Sequence, residues 1–328
     1  MDYQVIAHEH IFPPEELYPE CHASTLAFLP DGGIAAAWFG GTKEKYDDVG
    51  IWFSRRIGGK WEPQRKVADV EGVPCWNPVL FDFGDRLSLF YKVGKEIPIW
   101  KTLVTESTDG GLTWSEGREI VPGDVGGRGP VKNKCIRLSD GTVLAPASLE
   151  TETAWDCFVD RSADNGRTWE KSPLVPLDHT AIAGKGIIQP TLWEDDAGIV
   201  HMFTRSTESR IFHSASADGG RTFGPAEPTD LPNNNSGIDL DRLEDGRLIL
   251  VYNPVASPRG VRSPICFTLS EDNGKTWGPD YYLDHFPSAE KARKSTFAYP
   301  AVIARGNDAY ITYTWKRETI AFWHVRIG

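Results

Sequence analysis

One short polar turn recurs along the chain at a nearly constant interval. It reads STDGGLTW from Ser107, and versions of the same eight residues begin at Ser54, Ser162, Ser216 and Ser270, the first of them, SRRIGGKW, without the Asp. Successive copies begin 53 to 55 residues apart, a period typical of stacked or radial repeats. The Asp can accept hydrogen bonds from nearby amides, Gly permits a left-handed backbone, and the trailing aromatic residue supplies apolar area. We therefore predict that each of these turns, called boxes below, closes a hairpin and has a structural role.

A second pattern, a pair of apolar segments around a glycine turn, gives the number of repeats. Each period contains two short apolar segments, rich in β-branched and aromatic residues, separated by a glycine turn, and no long helical periodicity interrupts them. Radially arranged four-stranded sheets form a β-propeller, so we predict an all-β, six-bladed propeller that occupies residues 1–328 as a single domain. The last strand, IAFWHVRIG, is expected to pair with the N-terminal segment YQVIAHEHI and close the ring. The six turns lie at Gly32, Gly84, Gly141, Gly198, Gly246 and Gly306.

Composition and the absence of certain motifs argue against several classes of function. A formal charge of -11 argues against non-specific nucleic-acid binding, which requires a positive surface. The five cysteines include no CxxC pair, and no phosphate-binding, dinucleotide-binding or zinc-protease motif occurs, so we expect no metal and no cofactor. The N-terminus lacks the pattern of a signal peptide, and no apolar run reaches the roughly 18 residues of a membrane span. We expect a cytoplasmic protein without a membrane partner; its oligomeric state is left open.

Strand order predicts where a site would lie. Because neighbouring strands are antiparallel, the start of each first strand and the end of each second strand reach the same end of the ring near its axis. The first-strand starts are His22, Trp76, Asn77, Lys132 to Lys134, Gln189, Asn235 and Tyr299. The second-strand ends are Gly40, Gly41, Lys92, Glu150, Arg205, Asn253, Trp315 and Arg317, and Arg262 on the following strand of the fifth period can join them.

These positions favour an acidic ligand. Several cations at one end of an acidic protein suit a carboxylate or sulfate, which arginine grips with two parallel hydrogen bonds. Trp76, Trp100 and Trp315 offer flat faces for a sugar ring, although tryptophans equally fill cores. We therefore predict an anionic saccharide as the ligand, bound by Arg205, Arg262, Arg317, Lys92, Trp76, Asn77, Lys132, Asn235 and Trp315.

At this point the chain resembles the sialidase superfamily, whose boxes read SxDxGxTW and whose fold is a six-bladed propeller. The resemblance spans essentially the whole chain. It implies three arginines on the substrate carboxylate, a tyrosine nucleophile assisted by a glutamate, and an aspartate as acid and base. By position before a box, Arg205 and Arg262 match the second and third arginines, and Tyr299 in AYPAVIA matches the nucleophile.

Three departures weaken the implied reaction. His22 stands where the first arginine is expected, Gln189 stands where the glutamate is expected, and only Asp47 and Asp48 lie in the loop of the acid/base aspartate. A neutral amide cannot act as a base, and a phenol with an ordinary pKa near 10 needs one or needs strong charge stabilisation. We keep Asp48 and Gln189 as catalytic candidates beside Tyr299 and His22.

Three functions remain open from the sequence. The first is sialidase-like hydrolysis that releases a terminal anionic sugar. The second is β-elimination from a uronate, in which the arginines neutralise the carboxylate while His22 and Tyr299 transfer protons. The third is a propeller that binds glycans without catalysis. Neither the sugar nor its linkage follows from the residues.

Overall fold

The computed structural model describes residues 2–14 and 16–328, whose strands form six antiparallel sheets. Each sheet is one blade, and its first strand is the innermost. The N-terminal strand and the first three blades comprise β1 (Tyr3–His10), β2 (Glu20–Phe28), β3 (Ile34–Gly41), β4 (Gly50–Ile57), β5 (Lys60–Trp61), β6 (Arg65–Ala68), β7 (Cys75–Asp82), β8 (Leu87–Val93), β9 (Lys101–Ser107), β10 (Arg118–Glu119), β11 (Ile136–Arg137), β12 (Val143–Glu150), β13 (Trp155–Ser162) and β14 (Glu170–Lys171).

The remaining three blades follow the same order. The chain also contains a short helix, α1 (Ala289–Lys294), and one turn of 3₁₀ helix (Ile97–Ile99). The strands are β15 (Ile187–Glu194), β16 (Val200–Ser206), β17 (Arg210–Ser216), β18 (Glu227–Pro232), β19 (Asp239–Arg242), β20 (Leu248–Tyr252), β21 (Ile265–Ser270), β22 (Tyr281–Asp284), β23 (Phe297–Arg305), β24 (Asp308–Trp315) and β25 (Thr319–Ile327).

The ring closes between the two ends of the chain. β1 pairs antiparallel with β25, from Tyr3 opposite Ile327 to His10 opposite Ala321, and so supplies the outer strand of the sixth blade. The predicted six-bladed, all-β propeller and its closure are confirmed.

The two turn signals have the structures that their residues require. All six predicted glycines between first and second strands have positive φ, as at Gly84 (90°), whose amide donates to Asp82 Oδ1. In the Ser107 box, Asp109 accepts from both the amide and the hydroxyl of Thr113, and the Ser107 hydroxyl accepts from the Gly111 amide. These bonds use the polar groups of the box, which joins the third and fourth strands at the outer side of its blade.

The apolar side chains fill the spaces between blades. Six clusters of buried residues occur in the described chain, and each joins two neighbouring blades around the ring. The box aromatics contribute to them: Trp114 packs edge-on against Phe53 of the first blade, with ring centroids 5.2 Å apart. The box therefore both pins a hairpin and joins its blade to the preceding one.

Two blades depart from the regular pattern. The outer strand of the first blade is divided into β5 and β6, which both pair with β4, because Pro63 between them has no amide hydrogen to donate. In the third blade, β11 contains only two paired residues, and the segment before it keeps one backbone hydrogen bond to β12, from the Val131 amide to the Pro146 carbonyl. In the described part of the chain, no helix has the length and apolar character needed to cross a membrane.

Candidate functional site

Each blade places one strained residue at the start of its inner strand. These six non-glycine residues all have φ between 41° and 68°, in the left-handed region that side chains other than glycine rarely adopt. In four of the strands the position coincides with a β-bulge, which re-aims a side chain. Such strain, of order 1–3 kcal/mol per residue, concentrates at functional sites. The six residues are Ala23, Asn77, Lys132, Gln189, Asn235 and Tyr299.

Tyr299 forms the centre of the site. Its hydroxyl oxygen accepts from Arg205 Nη1 at 2.7 Å and from Gln189 Nε2 at 3.3 Å. Arg205 Nη1 also donates to Gln189 Oε1 at 3.0 Å, while its Nε donates to Asn235 Oδ1 at 2.7 Å. Arg262 lies over the Tyr299 ring, with its guanidinium carbon 5.3 Å from the ring centroid. Three residues that were predicted from strand ends, Arg205, Gln189 and Asn235, are thus brought together with Arg262 around this phenol.

The network favours the ionised form of Tyr299. Burial alone raises the pKa of the phenol, but the positive charges of Arg205 and Arg262 and the hydrogen bond from Gln189 outweigh it, and the pKa is lowered from 10. The neutral amide of Gln189 supplies no base, so the charges that favour the ionised phenol are those of Arg205 and Arg262. Tyr299 is therefore a phenol prepared to act as a nucleophile or a base.

The arginines keep donors free for a ligand. Among the described residues, no side chain or backbone group accepts a hydrogen bond from the Arg262 guanidinium, which meets only the face of Tyr299. Burial lowers the pKa of Arg262 to about 10, which still leaves it charged at neutral pH. Arg205 directs Nε and Nη1 to protein partners and leaves Nη2 without one. Two guanidinium groups with unused donors beside one phenol can bind a carboxylate.

His22 also packs against the ring of Tyr299. Its ring centroid is 4.2 Å from that of Tyr299, and its Nδ1 is 2.8 Å from the hydroxyl oxygen of Thr314. Burial, followed by the charges of Arg317, Arg262 and Arg205, lowers the pKa of His22 well below 6.5. The imidazole is consequently neutral at physiological pH and adds no positive charge where the resemblance implied an arginine.

Arg317 is held by a carboxylate that the sequence analysis did not select. It lies in the turn after β24, where both Lys316 and Arg317 have positive φ, and its Nη1 donates to Glu44 Oε2 at 2.5 Å. Glu44 belongs to the same loop as Asp48, but Asp48 instead accepts from the amide and hydroxyl of Thr42 and is exposed. In this loop it is Glu44, and not Asp48, whose carboxylate faces the arginines.

Lys92 and Lys132 direct their charges into the protein. The Lys92 ammonium donates to the Thr102 hydroxyl and to the carbonyls of Gly127, Arg128 and Gly129. Lys132 donates to the Asn133 side chain and to the carbonyls of Ile238 and Pro300, across the ring axis. Both side chains are buried, and burial lowers each pKa to about 7. Protein oxygens satisfy both ammonium groups without a ligand.

The predicted tryptophans pack inside the propeller. Trp76 and Trp100 are buried with their ring centroids 5.1 Å apart, and both indole N–H groups donate to the Gly94 carbonyl. Trp315 donates to Asp284 and packs against the core between the fifth and sixth blades. Asn77 is buried at its strained position. The half-buried Trp155 begins β13, and its ring centroid lies 5.8 Å from the guanidinium carbon of Arg205. Trp155, and none of the three predicted tryptophans, thus has its aromatic ring beside Arg205.

Glu150 is a second acidic group at this end of the ring. It is the last residue of β12, and among the described residues its carboxylate has no hydrogen-bond partner. Burial raises its pKa, against the opposing charges of Arg205, Lys92 and Lys185. A half-buried carboxyl group that retains its proton to higher pH, close to Arg205, can donate a proton to a leaving group. Glu150 was present among the predicted strand ends but had no assigned role.

The described residues contain no group of three His, Cys, Asp or Glu side chains close enough to hold a metal ion.

Solved structures share the whole fold at low sequence identity. A Hadza microbial sialidase matches with a TM-score of 0.81 and 16% identity over 98% of this chain and 68% of its own. A protein of unknown function from Dyadobacter fermentans matches with a TM-score of 0.76 and 16% identity over 99% of both chains. Trypanosoma rangeli sialidase matches with a TM-score of 0.71 and 12% identity over 98% of this chain but only 59% of its own. These likenesses establish the fold.

Among curated protein sequences, none matches this chain. The model of the BNR repeat-like domain matches residues 32–311, which is most of the sequence and includes all five boxes. The chain therefore belongs to the BNR repeat-like domain family, as a sialidase-like six-bladed propeller.

Proposed function

We propose that the protein is a carbohydrate-active enzyme that removes a terminal acidic sugar by sialidase-like hydrolysis. The observation that carries the proposal is the environment of Tyr299, a half-buried phenol that accepts a hydrogen bond from one arginine and lies under a second. A phenol with a lowered pKa has little structural use, since a neutral tyrosine would satisfy the same contacts. The sialidases that share this fold support the proposal.

Each residue has a role in the proposed reaction. Arg205 Nη2 and the free guanidinium of Arg262 hold the sugar carboxylate, and the ring lies over Trp155. The Tyr299 oxygen attacks the anomeric carbon while the bond to the leaving oxygen breaks, and Glu150 gives that oxygen a proton. A water molecule then occupies the position of the leaving group, and its oxygen attacks the anomeric carbon while the bond to the Tyr299 oxygen breaks. Glu150 takes the proton of that water, and Tyr299 leaves as the phenolate that the arginines stabilise.

A second candidate reaction is elimination from a uronate, and a specific observation favours it. The phenol has an amide and a neutral imidazole as neighbours, and no carboxylate of the described residues forms a hydrogen bond with it, so it is equipped to take a proton in one step. In that reaction Tyr299 removes the proton next to the carboxylate that Arg205 and Arg262 hold. The bond between the β carbon and its glycosidic oxygen breaks, that oxygen takes a proton from Glu150, and a carbon–carbon double bond forms.

Product masses test the proposal. The protein is incubated with a panel of sialosides and of uronate-capped oligosaccharides, and the products are analysed by mass spectrometry. Hydrolysis adds one water to the summed products, whereas elimination adds none and gives an unsaturated sugar that absorbs ultraviolet light. Release of a sialic acid with one added water supports the hydrolase. If no member of either series is cleaved but one binds, the protein is a glycan-binding propeller and both reactions are wrong.

A further inference from the structure

An arginine-rich pocket opens beside Tyr299, on the side of the fifth and sixth blades. Its volume is about 420 Å³, within the range of small-molecule sites, and four arginines line it: Arg259, Arg262, Arg293 and Arg317. Neither Asp nor Glu occurs among the described residues that line it. Since Arg262 and Arg317 also belong to the site around Tyr299, the pocket is continuous with that site.

The charges of this pocket are mostly uncompensated. Arg317 pairs with Glu44, but among the described residues neither the exposed Arg259 and Arg293 nor the half-buried Arg262 has a hydrogen-bond acceptor or an ion-pair partner for its guanidinium group. The Thr296 hydroxyl and the Asn234 side-chain oxygen, on residues that also line the pocket, are buried without partners. Like charges at close range repel each other, so such a group is stabilised when an anion binds among them.

The walls of the pocket are fixed by hydrogen bonds to the inner strand region of the fifth blade. Two side chains hold the loop that carries Arg259. Asn234 Nδ2 donates to the Val261 carbonyl at 2.7 Å, and Asn235 Nδ2 donates to the Pro258 carbonyl at 3.1 Å. Arg293 lies on α1, which packs through the buried Ala292 and begins at the Ser288 cap. A pre-formed wall lowers the entropy that binding would otherwise cost.

From these observations we propose a second anion subsite, which binds a sulfate ester or a carboxylate on the sugar next to the terminal acidic residue. The substrate is accordingly an oligosaccharide with at least two acid groups, one at Arg205 and Arg262 and one between Arg259 and Arg293. Arginine binds a sulfate ester and a carboxylate alike, through paired N–H donors. The pocket therefore selects for a negatively charged group at this position and does not distinguish the two. This inference deepens the proposed function and rests on it for the position of the terminal sugar.

Matched ligands test the subsite by calorimetry. The Tyr299→Phe chain is used so that probes are bound and not consumed. The probes are sialyllactose, sialyllactose with a sulfate ester on its galactose, and disialyllactose; the unsulfated and sulfated disaccharides of chondroitin make the same comparison for a uronate. We expect the second acid group to strengthen binding at least about tenfold at low salt. The sulfated sialoside and disialyllactose separate a preference for sulfate from one for carboxylate.

Variants locate the effect. With both Arg259→Gln and Arg293→Gln, the preference for the second acid group should disappear, while affinity for the singly charged probe changes less than about twofold. Arg167→Gln is the matched control, because Arg167 is an exposed arginine on an outer box turn and its side chain has no described partner. If the double variant keeps the preference, or if singly and doubly charged probes bind the Tyr299→Phe chain equally, the subsite does not exist, and this result is independent of the proposed function.

The two proposals fail in different ways. If no probe binds at all, the proposed function is wrong, and the pocket is then judged with sodium sulfate alone. Phenylglyoxal modifies accessible arginines, and peptide mass spectrometry gives the rate at Arg259 and Arg293. Slower modification of both residues in sulfate than in equal ionic strength of chloride supports an anion subsite. Equal rates overturn it.

Discussion

Replacing Arg262 with glutamine should raise the pKa of Tyr299. The positive charge of Arg262 lies 5.3 Å from the centroid of the phenol ring. Coulomb's law with an effective dielectric constant of about 20 gives about 3 kcal/mol at this distance, equivalent to about two pKa units. Because water enters the space left by the guanidinium and screens the remaining charges, we expect a rise of roughly one to two units.

Spectroscopic titration measures this shift. The ultraviolet absorbance of tyrosinate is followed as the pH is raised, and the same titration of Tyr299→Phe is subtracted to remove the other nine tyrosines of the ten in the chain. Arg167→Gln again serves as the control. Activity should follow the same change: if the ionised phenol reacts, the rising limb of kcat/KM against pH moves to higher pH by the same amount in Arg262→Gln. An unchanged pKa of Tyr299 in that variant would refute the electrostatic explanation.

Three further perturbations address separate parts of the molecule. Arg205→Ala should weaken binding of the acidic sugar by about 2–5 kcal/mol, measured by calorimetry, because it removes a desolvated charge partner, whereas Arg167→Ala should not. Glu150→Gln should lower turnover at least about a hundredfold with binding retained, and Glu152→Gln, an exposed neighbour, should leave both unchanged, so equal activity in the two variants would exclude Glu150 as the proton donor. In the Ser270 box, hydrogen bonds from Thr276 lower the pKa of Asp272 from 3.8 to about 2. The ionised carboxylate therefore stabilises the fold fully above about pH 4, and this contribution is lost as the pH falls toward 2. Asp272→Asn should make the free energy of unfolding, measured by urea denaturation, less sensitive to acid.

The fold could be predicted because the same local sequence patterns recur along the chain. Five boxes and six glycine turns mark the same two positions of every blade, and each needs only local chemistry, such as the bonds from Thr113 to Asp109. The meeting of Arg205, Gln189 and Tyr299 was also predictable, since it requires only that antiparallel strands begin and end at one end of the ring.

The remaining site depends on side-chain directions that no repeat encodes. In the loop after β3, Asp48 turns to Thr42 while Glu44 reaches Arg317, and nothing in the local sequence distinguishes the two carboxylates. Lys92 and Lys132 were predicted to bind the ligand, but their ammonium groups instead donate to backbone carbonyls that come within reach only in the closed ring. Contacts between residues far apart in the sequence decide these cases.

Turnover by Tyr299→Phe tests the central claim most directly. The parent chain, Tyr299→Phe and the control Tyr310→Phe, whose ring stacks on His324 in the sixth blade, are incubated with whichever acidic saccharide the parent cleaves, and products are quantified by mass spectrometry. We predict that Tyr299→Phe folds, still binds the saccharide through Arg205 and Arg262, and loses at least about a hundredfold in turnover, while Tyr310→Phe retains full activity. Full activity in Tyr299→Phe would contradict the account, because the reacting group would then lie elsewhere.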